Sequence, residues 1–274
     1  MKQEKIIKVQ NLKKYFPLPK EKLFQKEKQF AKAVDNVSFD VYKGETFGIV
    51  GESGSGKSTV ARLINRLVKP TAGEIYYQNE NILEFEKKDL KDFRRSIQMV
   101  FQSPYGTLDS RRTIEYSLRE PFKIHQYENE KEIDQRINDL LELVELPQSV
   151  QQKYPHEFSG GQLQRINIAR AISLQPEVVI CDESVSALDV SIQAQILNLL
   201  NDLQKEYKLT YIFISHDLNV VRYMCDRIAV MNKGKIVEVG TADEIYEHSE
   251  DEYVQSLLRA IPIDNPHERD QKII

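Results

Sequence analysis

Tryptophan is absent from this 274-residue chain, and only two cysteines occur, Cys181 and Cys225. Their wide separation matches no CxxC-type spacing, which excludes a cysteine-built metal or disulfide scaffold. Cys181 sits inside an apolar run and reads as a buried thiol. Long apolar runs are missing too. The opening MKQEKIIKVQNLKKYF has no core of signal-peptide length, and stretches such as the VVI before Cys181 are far too short to cross a bilayer. A reduced, cytoplasmic chain is therefore expected, reaching a membrane only where a partner holds it. An excess of positive charge is also lacking: 38 Lys+Arg stand against 42 Asp+Glu, a formal net charge of −4. Without a basic footprint, no nucleic-acid partner is expected. No repeat or low-complexity tract occurs, and the length suits one large domain with subdivisions.

What is there begins with strands. IIKVQNL, AVDNVSFDV and the apolar ETFGIV read as β-structure, with the charged KEKLFQKEKQFAK between the first two as an exposed loop or short helix. GEIYYQNENI and SIQMVFQ add strands. From about Thr113 to Leu174 the periodicity turns helical, with Ile133, Ile137, Leu140, Leu141 and Val144 on one face. EVVICDE and LTYIFISH then flank a helix striped by Ile192, Ile196, Leu199, Leu200 and Leu203. Strand, helix, strand implies a parallel sheet with a right-handed crossover. IAVMNKGKIVEVG reads as a hairpin around Asn232-Lys233-Gly234, and EDEYVQSLLRAIP as a short helix before a polar end.

Gly51-Glu52-Ser53-Gly54-Ser55-Gly56-Lys57-Ser58 matches the phosphate-loop pattern GxxxxGK[ST], after an apolar strand and before a helix that continues through Thr59. Glycines let the backbone curl so that N–H groups converge on phosphate at a helix N-terminus. Lys57 should reach the β- and γ-phosphates of a nucleotide, and the Ser58 hydroxyl should ligate Mg²⁺. This loop does not distinguish a kinase from a GTPase or a motor. A second apolar strand ends in Asp182-Glu183, where such enzymes place a carboxylate near the metal. Asp182 is then the metal-side group and Glu183 the candidate base for the attacking water. Adjacent strand residues point to opposite faces, so both reach one site only if the chain turns there; without the phosphate loop, a solvated turn would be the simpler reading.

Phe158-Ser159-Gly160-Gly161-Gln162, placed before QLQRINIARAI, resembles the LSGGQ signature of the ATP-binding-cassette (ABC) ATPases. Gln102 is similar to that family's Q-loop glutamine, Ser186-Ala187-Leu188-Asp189 to its D-loop, His216 to its switch histidine, and Tyr15 to the aromatic that stacks on adenine. Phe16 is adjacent, and a place in the core is the alternative for either ring. The resemblance implies a P-loop α/β fold: a parallel-sheet core, an N-terminal antiparallel β subdomain and a helical signature subdomain at about 103–172. The ATPase domain would span 1–246 and a C-terminal tail 247–274.

Binding and hydrolysis of ATP with Mg²⁺ are the implied activity. Glu183, His216 and Gln102 would be catalytic, with Ser58, Gln102 and Asp182 around the metal. Ser159, Gly160, Gly161 and Gln162 would form a second anion cradle facing the nucleotide of an opposite subunit. Two departures stand out: Ser184 replaces the family's usual Pro after the Walker-B Glu, and Phe158 replaces Leu. Neither removes a catalytic group, though Ser184 leaves the turn less rigid.

The segment Gln102–Leu108, the charged insert, SVSALDVSIQAQILNLLNDLQ and the tail resemble the oligopeptide, dipeptide and nickel importer ATPases. The tail match is partial, since His248 is followed by Ser249 with Tyr253 later, and the C-terminal cysteine cluster of some members is missing. The implied partners are separate transmembrane permease subunits, a second ABC ATPase in a heterodimer or homodimer, and an extracytoplasmic solute-binding protein. The implied location is the cytoplasmic face of the cell membrane. A soluble cassette for DNA repair or cofactor assembly, or an exporter ATPase, is the alternative; repair members carry long coiled coils, and no sustained heptads occur here. A non-hydrolysing module would lack Glu183 or His216. His125, His156 and His267 read as surface residues.

Overall fold

The computed structural model describes residues 4–18 and 29–260. Two long strands, β1 (Lys5–Pro17) and β2 (Phe30–Tyr42), lead to β3 (Thr46–Val50) and helix α1 (Lys57–Ile64). Next come β4 (Ala72–Tyr77), β5 (Glu80–Asn81), α2 (Lys87–Ser96) and β6 (Ile97–Val100). Helices α3 (Ile114–Ile124), α4 (Glu130–Leu143) and α5 (Gly160–Ile172) follow, then β7 (Val178–Asp182), α6 (Val190–Tyr207) and β8 (Thr210–Ser215). The chain continues through α7 (Leu218–Met224), β9 (Arg227–Asn232), β10 (Lys235–Thr241), α8 (Ala242–His248) and α9 (Glu252–Arg259).

Six strands build the central sheet in the order β10-β9-β3-β8-β7-β6. All neighbours are parallel except β10, which returns antiparallel through the Lys233-Gly234 turn. Both turn residues have positive φ, 47° and 82°, the backbone a two-residue hairpin turn requires. The second sheet, β2-β1-β4-β5, is antiparallel.

The central strands read as unbroken apolar runs because both faces are covered. Val179 and Cys181 face the helical core with Leu163, Ile196 and Leu200, whereas Val178 and Ile180 face α1 and the antiparallel sheet. Cys181 is fully buried, and burial pushes its thiol up to about 12. In α4, Ile133, Ile137, Leu140 and Leu141 are at most 2% exposed. Each such side chain contributes about 1.5–3 kcal/mol of burial.

Several local readings change. GEIYYQNENI is a hairpin, not one strand: Gln78 and Asn79 adopt φ of 48° and 71° and turn β4 into β5. β1 runs on through Tyr15, where periodicity stopped at Leu12, because β2 pairs with it as far as Pro17. The charged insert lies largely, and His267 wholly, outside the described residues. His125 is half-buried, its imidazole pushed down chiefly by burial. No helix among the described residues is long and apolar enough to cross a membrane.

Candidate functional site

The loop between β3 and α1 is held from beneath. Gly51 has φ 147°, and a Cβ there would lie 2.1 Å from the Met231 carbonyl oxygen. Gly56 has φ 108°, and its Cβ would lie 2.2 Å from the Ala33 carbonyl oxygen. Any side chain at either position would push the loop off β9 and β2, so the glycines are required by contact as well as by dihedral. The Gly234 N–H donates to the Ser55 carbonyl at 2.9 Å, tying the hairpin turn to the loop.

Lys57 is 4% exposed, and its ammonium donates to the carbonyls of Gly51 at 2.7 Å and Glu52 at 2.9 Å. Burial pulls its pKa down, opposed by Glu183 and Asp182. The Ser58 hydroxyl donates to Asp182 Oδ1 at 2.8 Å across 124 residues. Asp182 is 5% exposed; burial raises its pKa, with the Ser58 bond acting against that.

Glu183 adopts a left-handed φ of 49°. That turn answers the alternation problem, because it swings the second carboxylate round to the face of the first. Glu183 Oε2 accepts from Gln102 Nε2 at 2.8 Å, and His216 Nδ1 lies 3.5 Å from Oε1. The turn is closed without proline: Ser186 returns its N–H and its hydroxyl to the Glu183 carbonyl, at 3.2 Å and 2.9 Å. Ser184 is buried beneath it.

One cleft therefore gathers Gly51, Glu52, Ser53, Gly54, Gly56, Lys57, Ser58 and Thr59 with Gln102, Glu183 and His216 along its walls. Ser55 lies buried under the loop. The signature residues do not join this cleft. Ser159 caps α5, where its Oγ accepts from the Gln162 N–H at 3.4 Å and the Ser159 N–H donates to Gln162 Oε1 at 3.1 Å. Gly161 lets α5 approach α6, since a Cβ there would stand 2.4 Å from Ile192 Cγ2. Tyr15 stands on β1, its hydroxyl donating to Asp35 Oδ1 at 2.5 Å and its ring 5.5 Å from Lys32 Nζ. It does not line the cleft; Ala33, next to its strand partner Lys32, does.

The family model described as ABC transporter matches residues 34–186. The chain belongs to the ABC transporter family. It is an ATP-binding cassette ATPase. The cassette is 49% identical to the oligopeptide transport ATP-binding protein AppF of Bacillus subtilis (strain 168), over 95% of this chain and 79% of that protein. It is 44% identical to the dipeptide transport ATP-binding protein DppF of Escherichia coli (strain K12), over 99% of this chain and 80% of that one. Among solved structures, a dimeric ATP-binding cassette in a post-hydrolysis state, bound to ADP and Pi, superposes with a TM-score of 0.76. That cassette is 30% identical, and the match covers 86% of this chain and 99% of that one.

Part of the cleft wall of this cassette comes from residues outside the motifs. Leu218 and Leu257 line the cleft, and the Glu52 N–H donates to Tyr253 Oη at 3.3 Å. No local pattern places these residues at the cleft, because the contacts exist only after α7 and α9 have packed.

Proposed function

We propose that this cassette energises import of oligopeptides or dipeptides, as the nucleotide-binding subunit of a transporter whose permease is another chain. The observation that carries this reading is the likeness to AppF, which extends over 95% of the chain, well past the matched family segment. Nickel or a metal chelate is the second solute class within the reading.

In this proposal the phosphate loop holds the triphosphate and Lys57 neutralises the β- and γ-phosphates. Ser58 and Asp182 fit Mg²⁺, since they present hard oxygens 2.8 Å apart beside the loop. That ion takes few protein ligands and keeps phosphate and water oxygens around it. Bound there, it would offset charge between the phosphate oxygens. Glu183 takes the proton of the attacking water, with Gln102 and His216 orienting its two oxygens. Tyr15, near the end of β1, stacks on the base, its hydroxyl held by Asp35.

Ser159, Gly160, Gly161 and Gln162 do not line the Lys57 cleft, which supports a role towards the nucleotide of a second cassette. Between β6 and α3 runs a groove of about 230 Å³ lined by Leu67, Phe101, Ile124 and His125. The first three are 51%, 38% and 59% exposed, an apolar rim suited to a permease helix and to a place at the cytoplasmic membrane face. The test is uptake of labelled di- and oligopeptides by a strain lacking this chain. Uptake should vanish, and return with the parental gene but not with Glu183→Gln. Normal peptide and metal uptake, with lost resistance to an exported toxin, would make the cassette an exporter subunit.

A further inference from the structure

We propose that Tyr253, on the C-terminal helix α9, is a positioning residue for the phosphate loop, so that this helix sets the affinity for nucleotide. The proposal rests on the ATPase reading and adds to it a residue beyond the matched 34–186 segment.

The geometry turns on one peptide unit. The Gly51–Glu52 peptide presents its N–H to Tyr253 Oη at 3.3 Å and its carbonyl to Lys57 Nζ at 2.7 Å. A trans peptide is planar, with N–H and C=O on opposite edges. A hold on one edge therefore fixes the direction of the other. Tyr253 and Lys57 grip the two edges of the same plate, and any rotation of that plate moves the carbonyl that seats the ammonium. The next carbonyl, that of Glu52, also accepts from Lys57, at 2.9 Å, and from the Ser55 N–H, at 3.2 Å.

α9 is itself anchored, as a positioning element must be. Asp251 caps it through the N–H groups of Tyr253 and Val254, at 2.9 Å and 3.1 Å. Gln255 Nε2 donates to the Ser249 carbonyl at 3.1 Å, and the Ser249 hydroxyl bonds Glu238 on β10. Val254 is 1% exposed, and Leu258 packs on the helical core. Tyr253 and Leu257, four residues apart and so on one helix face, are partly buried against the helical core and still reach the site: Leu257 lines the cleft and the Tyr253 hydroxyl meets the Glu52 N–H.

The test is Tyr253→Phe in the full chain, which deletes one oxygen and keeps the ring. The dissociation constant for MgATP and MgADP, by calorimetry, should rise about three- to tenfold, the worth of one hydrogen bond. The melting temperature should stay at the parental value, and amide exchange at Glu52 should accelerate. Leu258→Ala, which loosens the packed side of α9 and leaves the hydroxyl, should lower the melting temperature without a matching loss of affinity. Unchanged nucleotide affinity in Tyr253→Phe overturns the proposal. So does affinity that falls in proportion to melting temperature in both variants, since the effect is then general loosening. A parental chain that binds no MgATP overturns the ATPase reading and this proposal with it.

Discussion

Gln102 Nε2 donates to Glu183 Oε2 at 2.8 Å, joining the end of the β6 segment to the end of β7 across 81 residues. His216 approaches the other oxygen, so the carboxylate is oriented from both sides. Glu183→Gln keeps an oxygen for one of these neighbours but is a negligible base. Hydrolysis should fall roughly 10²- to 10⁴-fold while MgATP affinity stays near the parental value. Phosphate release together with calorimetry reads both numbers. A variant turning over at the parental rate moves the base role to His216.

Lys57→Ala should abolish most nucleotide binding, because no other ammonium stands in the cleft among the described lining residues. It also strands the Gly51 carbonyl that the ammonium now satisfies, costing about 1–3 kcal/mol of stability, while the Glu52 carbonyl keeps the Ser55 N–H. Calorimetry and urea unfolding measure the two losses separately. Retained affinity sinks the assignment of this loop.

Asp182 has a raised pKa in the folded chain, chiefly from burial, so folding opposes its ionisation. The sign follows from linkage: its contribution is fully favourable below the unfolded aspartate pKa and is lost as pH rises through the folded value. Without nucleotide or Mg²⁺, Asp182→Asn should therefore be more stable than the parent at neutral pH. The gap should close as pH falls through the acid range. Unfolding midpoints across pH check this; a gap that widens in acid contradicts it.

Gly161→Ala puts a methyl group 2.4 Å from Ile192 Cγ2. The clash should cost about 1–3 kcal/mol. Ile192→Ala in the same chain should recover much of it. Urea denaturation of the two single variants and the double variant measures the coupling, and additive losses would show that α5 and α6 do not meet through this pair.

Much of the cassette was legible in order along the chain. The phosphate loop, the Asp182-Glu183 strand end and the α4 stripe are local patterns, with periods or spacings fixed by one element's own geometry. The α6 stripe was legible too, except that Ile192 is only half-buried because it serves the approach of α5.

The sequence by itself determined the family, the ladder of buried strands and the residue types available for nucleotide chemistry, since these follow from short-range spacing and side-chain polarity. Tertiary structure decided which of them meet. The left-handed turn at Glu183, the hold of Gln102 on its carboxylate, the exclusion of Ser159 from the Lys57 cleft and the Tyr253 contact at Glu52, 201 residues away, are of this kind. Each depends on chain closure over long separations. That closure costs loop entropy and is repaid only by the assembled core, so no local signal announces it.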